Sequence, residues 1–330
     1  MKDTRYALGI DVGGTKIYAG VIALETGEVV GSARKRTHPE RGADFFTKRL
    51  QEVAADALES VHLPSTAQVA AIGVGLAGQV DRERGLLRGA PNLARGVEDL
   101  PLRDLLEKAF DLPVILGNDA EVATYGEQHY GAGRECDDFI CIYVGTGIGS
   151  AIVHKGVLRR GATGTAGEIG HTVVQYGGRM CGCGGRGHLE AYASRSAITK
   201  VLFAELARGR TSKLQDYLKP DETAIRSKTI ARCEEEKDPL MLETLSEAAD
   251  YLGAGLGSLA SFLNPSRIII GGGLIEGTTF LFERASLRAR EVALPVPGRA
   301  LEIVRTGLGD DGGIVGAAWM AVHMRPKKDS

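Results

Sequence analysis

Residues 8–22 read LGIDVGGTKIYAGVI, an apolar run followed by a glycine turn and a second apolar run. Residues 140–153 read ICIYVGTGIGSAIV and repeat the arrangement, with Gly145 aligned on Gly13. Apolar runs of this length on either side of glycines are typical of β-strands joined by a tight turn. Two copies of a strand–turn–strand unit on one chain predict two similar half-molecules that face each other.

Strand and helix signals alternate along the first third of the chain. Apolar residues at helical spacing cover residues 44–61 and 120–130. Short apolar runs at residues 69–76 and 114–116 are typical of buried strands. This alternation predicts an α/β fold.

The second half contains a longer helical segment, residues 191–264. Gly253 and Gly257 lie within its last helix, where glycine is costly unless another backbone packs close by. A buried strand at residues 267–270 is then expected, followed by a turn at Gly271-Gly272-Gly273.

The boundary between the two lobes is expected near Gly117, where a strand ends. The last helical stretch, residues 313–322, is expected to cross back to the first lobe. The expected bounds are residues 1–117 with 311–330 for a small lobe and residues 118–310 for a large lobe, which contains a glycine-rich loop at 164–190 and a helical insertion at 191–264.

The composition excludes several classes of protein. The 330 residues include 40 Lys and Arg against 42 Asp and Glu, without the basic face or tail of a nucleic-acid binder. No apolar stretch approaches the ~18 residues of a membrane-spanning helix, and the first five residues leave no room for a signal peptide. Five cysteines, with Cys181 and Cys183 one glycine apart, favour a cytoplasmic location and a metal site over disulfides.

The first glycine turn, Gly13-Gly14-Thr15-Lys16, has the composition of a phosphate-binding turn. Its backbone N–H groups and the Thr15 hydroxyl can donate to anionic oxygens. The spacing is not that of a P-loop, and a simple tight hairpin is the alternative. The second copy has Tyr143 where the first has Asp11, so the turn itself requires no carboxylate. Asp11 is therefore expected to serve Mg²⁺ or its water shell.

The second turn, Gly145-Thr146-Gly147-Ile148-Gly149, is the expected partner on the same phosphates. Gly272 and Gly273 follow a strand and precede a helix, where a flat adenine or a ribose can approach the backbone. Close packing of that helix on that strand is the alternative explanation for these two glycines.

Four potential metal ligands, His171, Cys181, Cys183 and His188, fall within eighteen residues of a glycine-rich segment. Thiolates and imidazoles suit tetrahedral Zn²⁺, and four of them close its coordination shell. The pattern predicts a structural zinc that orders a loop too poor in apolar residues to fold alone.

Carboxylates stand at three places where they can meet a ligand. Asn118-Asp119 lies where a strand ends and a helix starts, so Asp119 is either a helix N-cap or a general base for an attacking hydroxyl. Glu168 and Glu190 flank the metal loop. Such carboxylates either bind the paired hydroxyls of a polyol or are ordinary exposed loop acids.

The chain resembles the ROK family of repressors, uncharacterised reading frames and sugar kinases, within the hexokinase–actin superfamily. The most specific part is a signature that reads GEIGH at 167–171, CGCG at 181–184 and GHLE at 187–190. The glycine turns and the segments at 75–78, 91–93 and 117–121 extend the resemblance over essentially the whole chain. It implies two ribonuclease-H-like lobes, as in hexokinase and actin, with a hexose in the cleft and ATP as phosphate donor.

The resemblance also implies a role for each site residue. Asp119 is implied as a sugar contact and as the catalytic base on the 6-hydroxyl. His171 is implied to place one ring nitrogen on zinc and the other on a sugar hydroxyl. The other implied sugar contacts are Asn92, Asn118, Glu168 and Glu190. MgATP is implied to be held by Asp11, Gly13, Gly14, Thr15, Lys16, Gly145, Thr146 and Gly147, with Gly272 and Gly273 along the adenosine.

The signature departs from the family at one position, because His188 stands where a third cysteine is usual. An imidazole still completes a tetrahedral Cys₂His₂ shell, so zinc remains the expected metal. A Cys₃His set would hold the metal more tightly against chelators.

Glucose is the expected hexose, because the segments at 76–81, 90–93 and 117–120 look most like those of bacterial family members that phosphorylate glucose. Kinases of N-acetylmannosamine, N-acetylglucosamine, fructose and allose share most of these residues, and polyphosphate is an alternative donor. The rival functions are a sugar-sensing regulator, which would carry a winged helix ahead of the first strand, and a catalytically silent sugar binder. The resemblance suggests a homodimer or a homotetramer.

Overall fold

The structure is a computed structural model that describes residues 6–61, 69–90, 93, 97–219 and 222–324. The chain divides into two compact units, Met1–Glu135 with Asp310–Ser330, and Cys136–Gly309. The sequence placed the first boundary at 117/118 instead. Residues 118–135 fall in the first unit because the helix that they contain packs on the last helix of the chain and on a strand of the first sheet.

The first unit contains a five-stranded sheet, a small three-stranded sheet and helices that cover them. Its elements in chain order are β1 (Tyr6–Val12), β2 (Lys16–Ala23), β3 (Glu28–Arg36), α1 (Gly42–Glu59), β4 (Val69–Leu76), β5 (Gln79–Asp81), β6 (Leu86–Gly89), β7 (Glu98–Leu100), α2 (Leu102–Phe110), β8 (Val114–Asn118) and α3 (Asp119–Tyr130).

The second unit contains another five-stranded sheet and a larger set of helices. Its elements are β9 (Phe139–Val144), β10 (Ile148–His154), β11 (Val157–Leu158), α4 (Glu190–Ala193), α5 (Arg195–Ala207), α6 (Ser227–Glu235), α7 (Pro239–Leu263), β12 (Arg267–Gly271), α8 (Gly273–Gly277), α9 (Thr279–Val292), α10 (Pro295–Ala300) and β13 (Glu302–Arg305). The chain then returns to the first unit as α11 (Gly312–His323), which packs on β1, β4 and α3.

The two large sheets have the same topology. Their strand orders are β3-β2-β1-β4-β8 and β11-β10-β9-β12-β13. In each, the first three strands form an antiparallel meander and the last two run parallel to its first strand. The internal repeat and the α/β fold of two ribonuclease-H-like lobes are thereby confirmed.

The repeat extends to single positions in the sheets. Asp11 and Tyr143 each lie one residue before the end of their strand, where they pair with Tyr18 and Gly149. Because backbone register places these two residues at equivalent points, the carboxylate of Asp11 is not a requirement of the hairpin.

Each unit has its own apolar core, and burial follows the strand pattern. β4 is buried at seven of its eight positions, as expected of a central parallel strand. In the second unit α7 and α9 pack closely. A Cβ atom added at Gly253 would lie 2.7 Å from the carbonyl oxygen of Ala285, and one at Gly257 2.7 Å from that of Ala289. The prediction that a backbone packs against these glycines is confirmed.

Within the described residues, the helices include none with the length and apolar character needed to cross a membrane.

Candidate functional site

The first glycine turn joins β1 to β2 and is held from inside the unit. The N–H of Gly13 donates to the carbonyl of Lys16 (3.0 Å), and the buried hydroxyl of Thr37 donates to the carbonyl of Gly13 (2.7 Å). A Cβ atom added at Gly13 would approach only the Lys16 carbonyl oxygen, at 3.6 Å. Packing within the protein therefore does not require glycine here, and the space above the turn is open to a ligand.

Lys16, the last residue of this turn, contacts a carboxylate that precedes α11. Its ammonium lies 3.0 Å from Asp310, which also accepts a hydrogen bond from Arg34 (3.3 Å). Asp311 accepts one from the hydroxyl of Tyr18 (2.8 Å). The turn is thus tied to the start of α11 by charged groups that are roughly half exposed.

The start of α3 decides between the two interpretations of Asp119. The N-cap is Asn118, whose side-chain oxygen accepts from the backbone N–H groups of Ala120 (3.0 Å) and Glu121 (3.3 Å). Asp119 is the first helical residue, and its Oδ1 accepts from Ala120 at 2.9 Å. The N-cap interpretation of Asp119 is therefore wrong, because its neighbour Asn118 caps the helix.

Two carboxyl groups of the first unit have pKa values near neutrality. Burial, and after it the negative charge of Asp11, raise the pKa of Asp119 to about 7. Burial raises the pKa of Asp11 to about 6, where nearby Lys16 lowers it and Asp310 raises it. The two acids stand within electrostatic reach of one another, an arrangement typical of sites that bind a cation or move a proton.

The surroundings of Asp11 fit a magnesium ion. Among the described residues none donates a hydrogen bond to its carboxylate, and the first turn of α11 packs directly on it. A Cβ atom added at Gly313 would lie 2.8 Å from the carboxyl carbon of Asp11. A half-buried carboxylate without a donor is a suitable ligand for Mg²⁺ or for its bound water.

The second glycine turn joins β9 to β10 in the other unit. Gly145 donates to the carbonyl of Gly147 (2.9 Å), and a Cβ atom at Gly145 would meet nothing within 4 Å. At Gly147 a Cβ atom would lie 2.4 Å from a carboxylate oxygen of Glu190. The first glycine leaves open space, and the second makes room for Glu190.

Glu190 joins this turn to the predicted metal ligands. Its Oε2 accepts from the N–H of Ile148 (2.9 Å), and its Oε1 lies 3.5 Å from the sulfur of Cys181. One oxygen is therefore engaged within the protein, and the other faces the metal cluster.

Arg195, the first residue of α5, contacts the same turn. Its Nη2 donates to the hydroxyl of Thr146 at 2.6 Å, and its backbone N–H donates to the carbonyl of Gly145 at 2.9 Å. Arg195 is not among the residues predicted from the sequence, because 49 residues separate it from Thr146 and no local motif contains both.

The four predicted metal ligands converge. One ligand atom from each of His171, Cys181, Cys183 and His188 can be chosen so that all lie within 4.8 Å of one another. The sulfur of Cys181 is 3.7 Å from Nδ1 of His171, and that of Cys183 is 3.2 Å from Nδ1 of His188. Zinc bonds of about 2.0–2.3 Å arranged as a tetrahedron separate neighbouring ligand atoms by similar distances, so the set fits Zn²⁺.

The backbone of the metal loop is folded by short-range hydrogen bonds and by glycine. Cys181 donates to the carbonyl of Gly185 (2.8 Å), and Gly187 to that of Arg179 (2.8 Å). Gly187 has φ 76°, and a Cβ atom there would lie 1.8 Å from the carbonyl oxygen of Gln175. A side chain at this position would displace the residue next to His188 and with it one metal ligand.

Glu168 stands beside the cluster without entering it. Its carboxylate is 4.0 Å from Nε2 of His171 and is 65% exposed. Since Nδ1 of His171 faces the thiol of Cys181, Nε2 is left on the side of Glu168. A ligand hydroxyl near this exposed edge would find an acceptor and a ring nitrogen together.

The two glycines of the predicted adenosine site have different surroundings in the structure. Gly272 has φ 89°, and its Cβ atom would lie 2.7 Å from the backbone of Val144, so close packing explains it. At Gly273 a Cβ atom would approach only the hydroxyl of Ser227, at 3.7 Å. That hydroxyl is buried and has no hydrogen-bond partner. Sequence reasoning missed Ser227, which 46 residues separate from Gly273.

The predicted sugar contact Asn92 lies outside the described residues. Of the other predicted residues, the first unit brings together Asp11, Gly13, Gly14, Thr15, Lys16, Asn118 and Asp119. The second unit brings together Gly145, Thr146, Gly147 and Glu190, with Glu168 beside the metal cluster.

The chain is similar to known proteins over nearly its whole length. Residues 7–324 match the ROK family. The glucokinase of Halalkalibacterium halodurans is 34% identical over 318 residues, which are 96% of this chain and 94% of that protein. The N-acetylmannosamine kinase of Haemophilus influenzae is 30% identical over 314 residues, 94% of each chain.

A solved structure is similar over the same length. The crystal structure of a ROK family glucokinase from Streptomyces griseus, in complex with glucose and AMPPNP, is 34% identical, with a TM-score of 0.83. The match covers 96% of this chain and 99% of that one. The chain therefore belongs to the ROK family, and the resemblance found in its signature residues is confirmed.

Proposed function

We propose that this chain, a sugar kinase of the ROK family, transfers the terminal phosphoryl group of ATP to the 6-hydroxyl of glucose, with Asp119 as general base. The observation that carries the proposal is the carboxyl of Asp119, which does not cap its helix and has a pKa of about 7. A base with a pKa near the working pH is best able to take a proton during the reaction. The sugar hydroxyl gives its proton to Asp119 as its oxygen attacks phosphorus, and ADP leaves.

The nucleotide sites proposed are the two glycine turns. Both Gly13 and Gly145 leave open space, as expected where phosphate oxygens approach backbone N–H groups. Lys16 and Thr146 add an ammonium and a hydroxyl, and Gly273 with the unpartnered hydroxyl of Ser227 is proposed for the adenosine. Gly272 is better explained by packing and has no proposed contact with the nucleotide.

Two metal ions have proposed roles. Asp11 would hold Mg²⁺ directly or through water, and the ion, when bound, neutralises negative charge on the phosphates. A structural Zn²⁺ would be held by His171, Cys181, Cys183 and His188. Four protein ligands would leave no open coordination position for catalysis. With Nδ1 of His171 bound to Zn²⁺, the Nε2 of that ring would remain available to a sugar hydroxyl.

The sugar contacts proposed are side chains with donor or acceptor groups still available. Asn118 has its oxygen engaged in the helix cap, so its amide nitrogen is the group that can donate to a sugar hydroxyl. Glu168 and His171 share the exposed edge of the metal loop. Glu190 would contact the sugar through Oε1, the oxygen that lies 3.5 Å from the Cys181 sulfur. Asn92 stays a prediction from the family resemblance. The glucokinase relatives favour glucose among the hexoses.

Release of ADP from MgATP, measured with a coupled optical assay across a sugar panel, tests the proposal. The panel contains glucose, mannose, fructose, allose, glucosamine, N-acetylglucosamine and N-acetylmannosamine, with polyphosphate as a second donor. We expect glucose to have the highest kcat/KM. If N-acetylmannosamine or fructose has a higher kcat/KM than glucose, the assignment of glucose is wrong but the chain is still a sugar kinase. If a sugar raises the Tm but none is phosphorylated, the chain is a sensor or binder instead.

Two further predictions stay open to direct measurement. The cytoplasmic location predicted from the sequence is tested by fractionation of cells that express the chain. The homodimer or homotetramer suggested by the resemblance is tested by light scattering of the purified chain.

A further inference from the structure

Arg195 is attached to the second glycine turn more firmly than a surface side chain would be. Its backbone N–H donates to Gly145 (2.9 Å) and that of Ser196 donates to Thr146 (3.4 Å), so the first turn of α5 is fastened to the glycine turn. The guanidinium then folds onto the Thr146 hydroxyl at 2.6 Å. Backbone and side chain together hold the cation at the point where the turn is open.

The charge of Arg195 has no counterion among the described residues. Some other arginines of the second unit pair with carboxylates, such as Arg179 with Glu247 (2.8 Å) and Arg267 with Glu302 (2.6 Å). Others, such as Arg299 and Arg305, donate to backbone carbonyls. Arg195 donates to a neutral hydroxyl instead, and partial burial lowers its pKa. A partly desolvated cation without an anion is unfavourable, and an anionic ligand would relieve that cost.

The surroundings select the chemistry of that anion. A guanidinium has five N–H donors in a planar fork that matches the oxygens of a phosphate, and one donor is used by Thr146. Arg195 also begins α5, a helix of 13 residues whose positive end favours negative charge. Gly145, the residue before Thr146, is open, because a Cβ atom added there would meet nothing within 4 Å.

We infer that Arg195 binds the phosphate chain of the nucleotide at the second glycine turn and positions it for transfer. The inference rests on the proposed function, because it takes the ligand of this turn to be a nucleotide. It gives the second glycine turn a cation of its own, as Lys16 gives one to the first turn. Arg195 would then contribute to the affinity for nucleotide phosphates and to kcat, with no direct part in sugar selection.

Calorimetric titration of Arg195→Gln with MgAMPPNP, MgADP and adenosine tests the inference without turnover. Glutamine can still donate to Thr146, so this variant removes the charge and retains a hydrogen-bond donor. We expect the Kd for MgAMPPNP to rise about 10- to 100-fold, the loss typical of a hydrogen bond to a charged group. The Kd for adenosine should stay at its wild-type value. Arg195→Lys keeps the charge but lacks the planar fork of donors. Its Kd for MgAMPPNP should lie between those of the wild type and Arg195→Gln.

The chain provides a matched control on the same helix. Arg208, at the far end of α5, is 72% exposed and pairs with Glu205. Arg208→Gln should bind MgAMPPNP as the wild type does. The steady-state assay should show a raised KM for ATP and a lowered kcat only for the Arg195 variants, with the KM for sugar unchanged.

The outcomes separate this inference from the proposed function. Wild-type affinity for MgAMPPNP in Arg195→Gln, or an equal loss for adenosine, overturns the role of Arg195 and leaves the kinase standing. If the wild type binds MgAMPPNP and phosphorylates no sugar, the proposed kinase activity is wrong. The titrations then still show whether Arg195 binds the nucleotide phosphates. A wild-type chain that binds no MgAMPPNP overturns the inference. Should Arg195→Gln fail to fold, the Kd values of Arg195→Lys for MgAMPPNP and adenosine test the same role.

Discussion

Replacing Asp119 by asparagine removes one negative charge at the first turn of α3 and keeps the size of the side chain. Asn118 remains the N-cap, so the helix retains its start. The substitution therefore tests two effects of the carboxylate. One is its use as a base, and the other is the loss of folding stability that its burial causes.

The loss of the base sets the expected change in turnover. A positioned general base contributes about 10²- to 10⁴-fold to the rate, so kcat of Asp119→Asn should fall by that factor while glucose still binds. In the wild type, kcat/KM should fall about tenfold per pH unit below a pH of about 7, because the protonated carboxyl cannot accept a proton. Turnover within tenfold of the wild type would remove Asp119 as the base.

The cost to the folded state follows from the same pKa. Asp119 has a pKa of about 7 in the folded chain against an ordinary value of 3.8. Below pH 3.8 the carboxyl is protonated whether the chain is folded or unfolded, so aspartate and asparagine behave alike. Between that pH and about 7 the unfolded chain loses its proton first, and the wild type loses stability. At about 1.36 kcal/mol per pKa unit, the full difference reaches up to about 4 kcal/mol at pH 8.

Urea unfolding in the presence of a chelator measures this difference without ligand or metal. Trp319 is the single tryptophan of the chain and stacks on Tyr125 and His129 in the first unit, so its fluorescence follows the unit that contains Asp119. We expect Asp119→Asn to be more stable than the wild type at pH 8 and to differ from it by only about 0.6 kcal/mol at pH 4. Its Tm should rise at pH 8 by about 2–4 °C per kcal/mol gained.

Asp104 supplies the control, because it lies in the first turn of α2 in the same unit and is 68% exposed. Asp104→Asn should change stability little at either pH, since an exposed carboxylate at a helix start contributes only about 0.3–1 kcal/mol. An equal stability of wild type and Asp119→Asn at pH 8 would refute the argument that burial raises the pKa of Asp119.

Three further predictions concern single contacts. His188→Ala should lower the zinc content, measured by atomic emission, together with the Tm; an unchanged metal-to-protein ratio would remove His188 from the ligand set. Asn118→Ala should cost about 1 kcal/mol in urea unfolding through loss of the N-cap, whereas Asn118→Asp should retain the cap, and equal stabilities would contradict the capping role. Gly272→Ala should destabilise the second unit by at least about 1–3 kcal/mol, because its φ is 89° and the Val144 backbone lies in the way. Gly273→Ala should fold normally and raise the KM for ATP; an unaltered KM would exclude Gly273 from the adenosine site.

Features encoded in short segments could be predicted from the sequence. The two strand–turn–strand units follow from alternating apolar runs and glycines, so their repetition predicted the two similar sheets. The metal ligands lie within eighteen residues, and a loop that short brings them together by local turns. The glycines of α7 predicted a close helix neighbour, because glycine within a helix is costly unless it allows such packing.

Choices between neighbouring residues required the structure. Asn118 and Asp119 are both good N-caps, and only the backbone path from β8 into α3 decides that Asn118 is the cap. Gly272 and Gly273 are identical in chemistry, and only the position of β9 shows that the first is needed for packing and the second is open.

Contacts between distant residues and the effects of burial lay beyond the sequence. Arg195 reaches Thr146, and Ser227 lies beside Gly273, because packing joins elements that the chain separates by more than 40 residues. The pKa of Asp119 depends on burial and on the charge of Asp11, and neither is a property of the local sequence. The sequence by itself determined the family, the repeated fold and the four histidine and cysteine side chains that converge, since these depend on local patterns. The tertiary structure decided which residue caps α3, how burial raises the pKa of Asp119 and which arginine contacts Thr146, because desolvation and long-range contacts exist only in the folded chain.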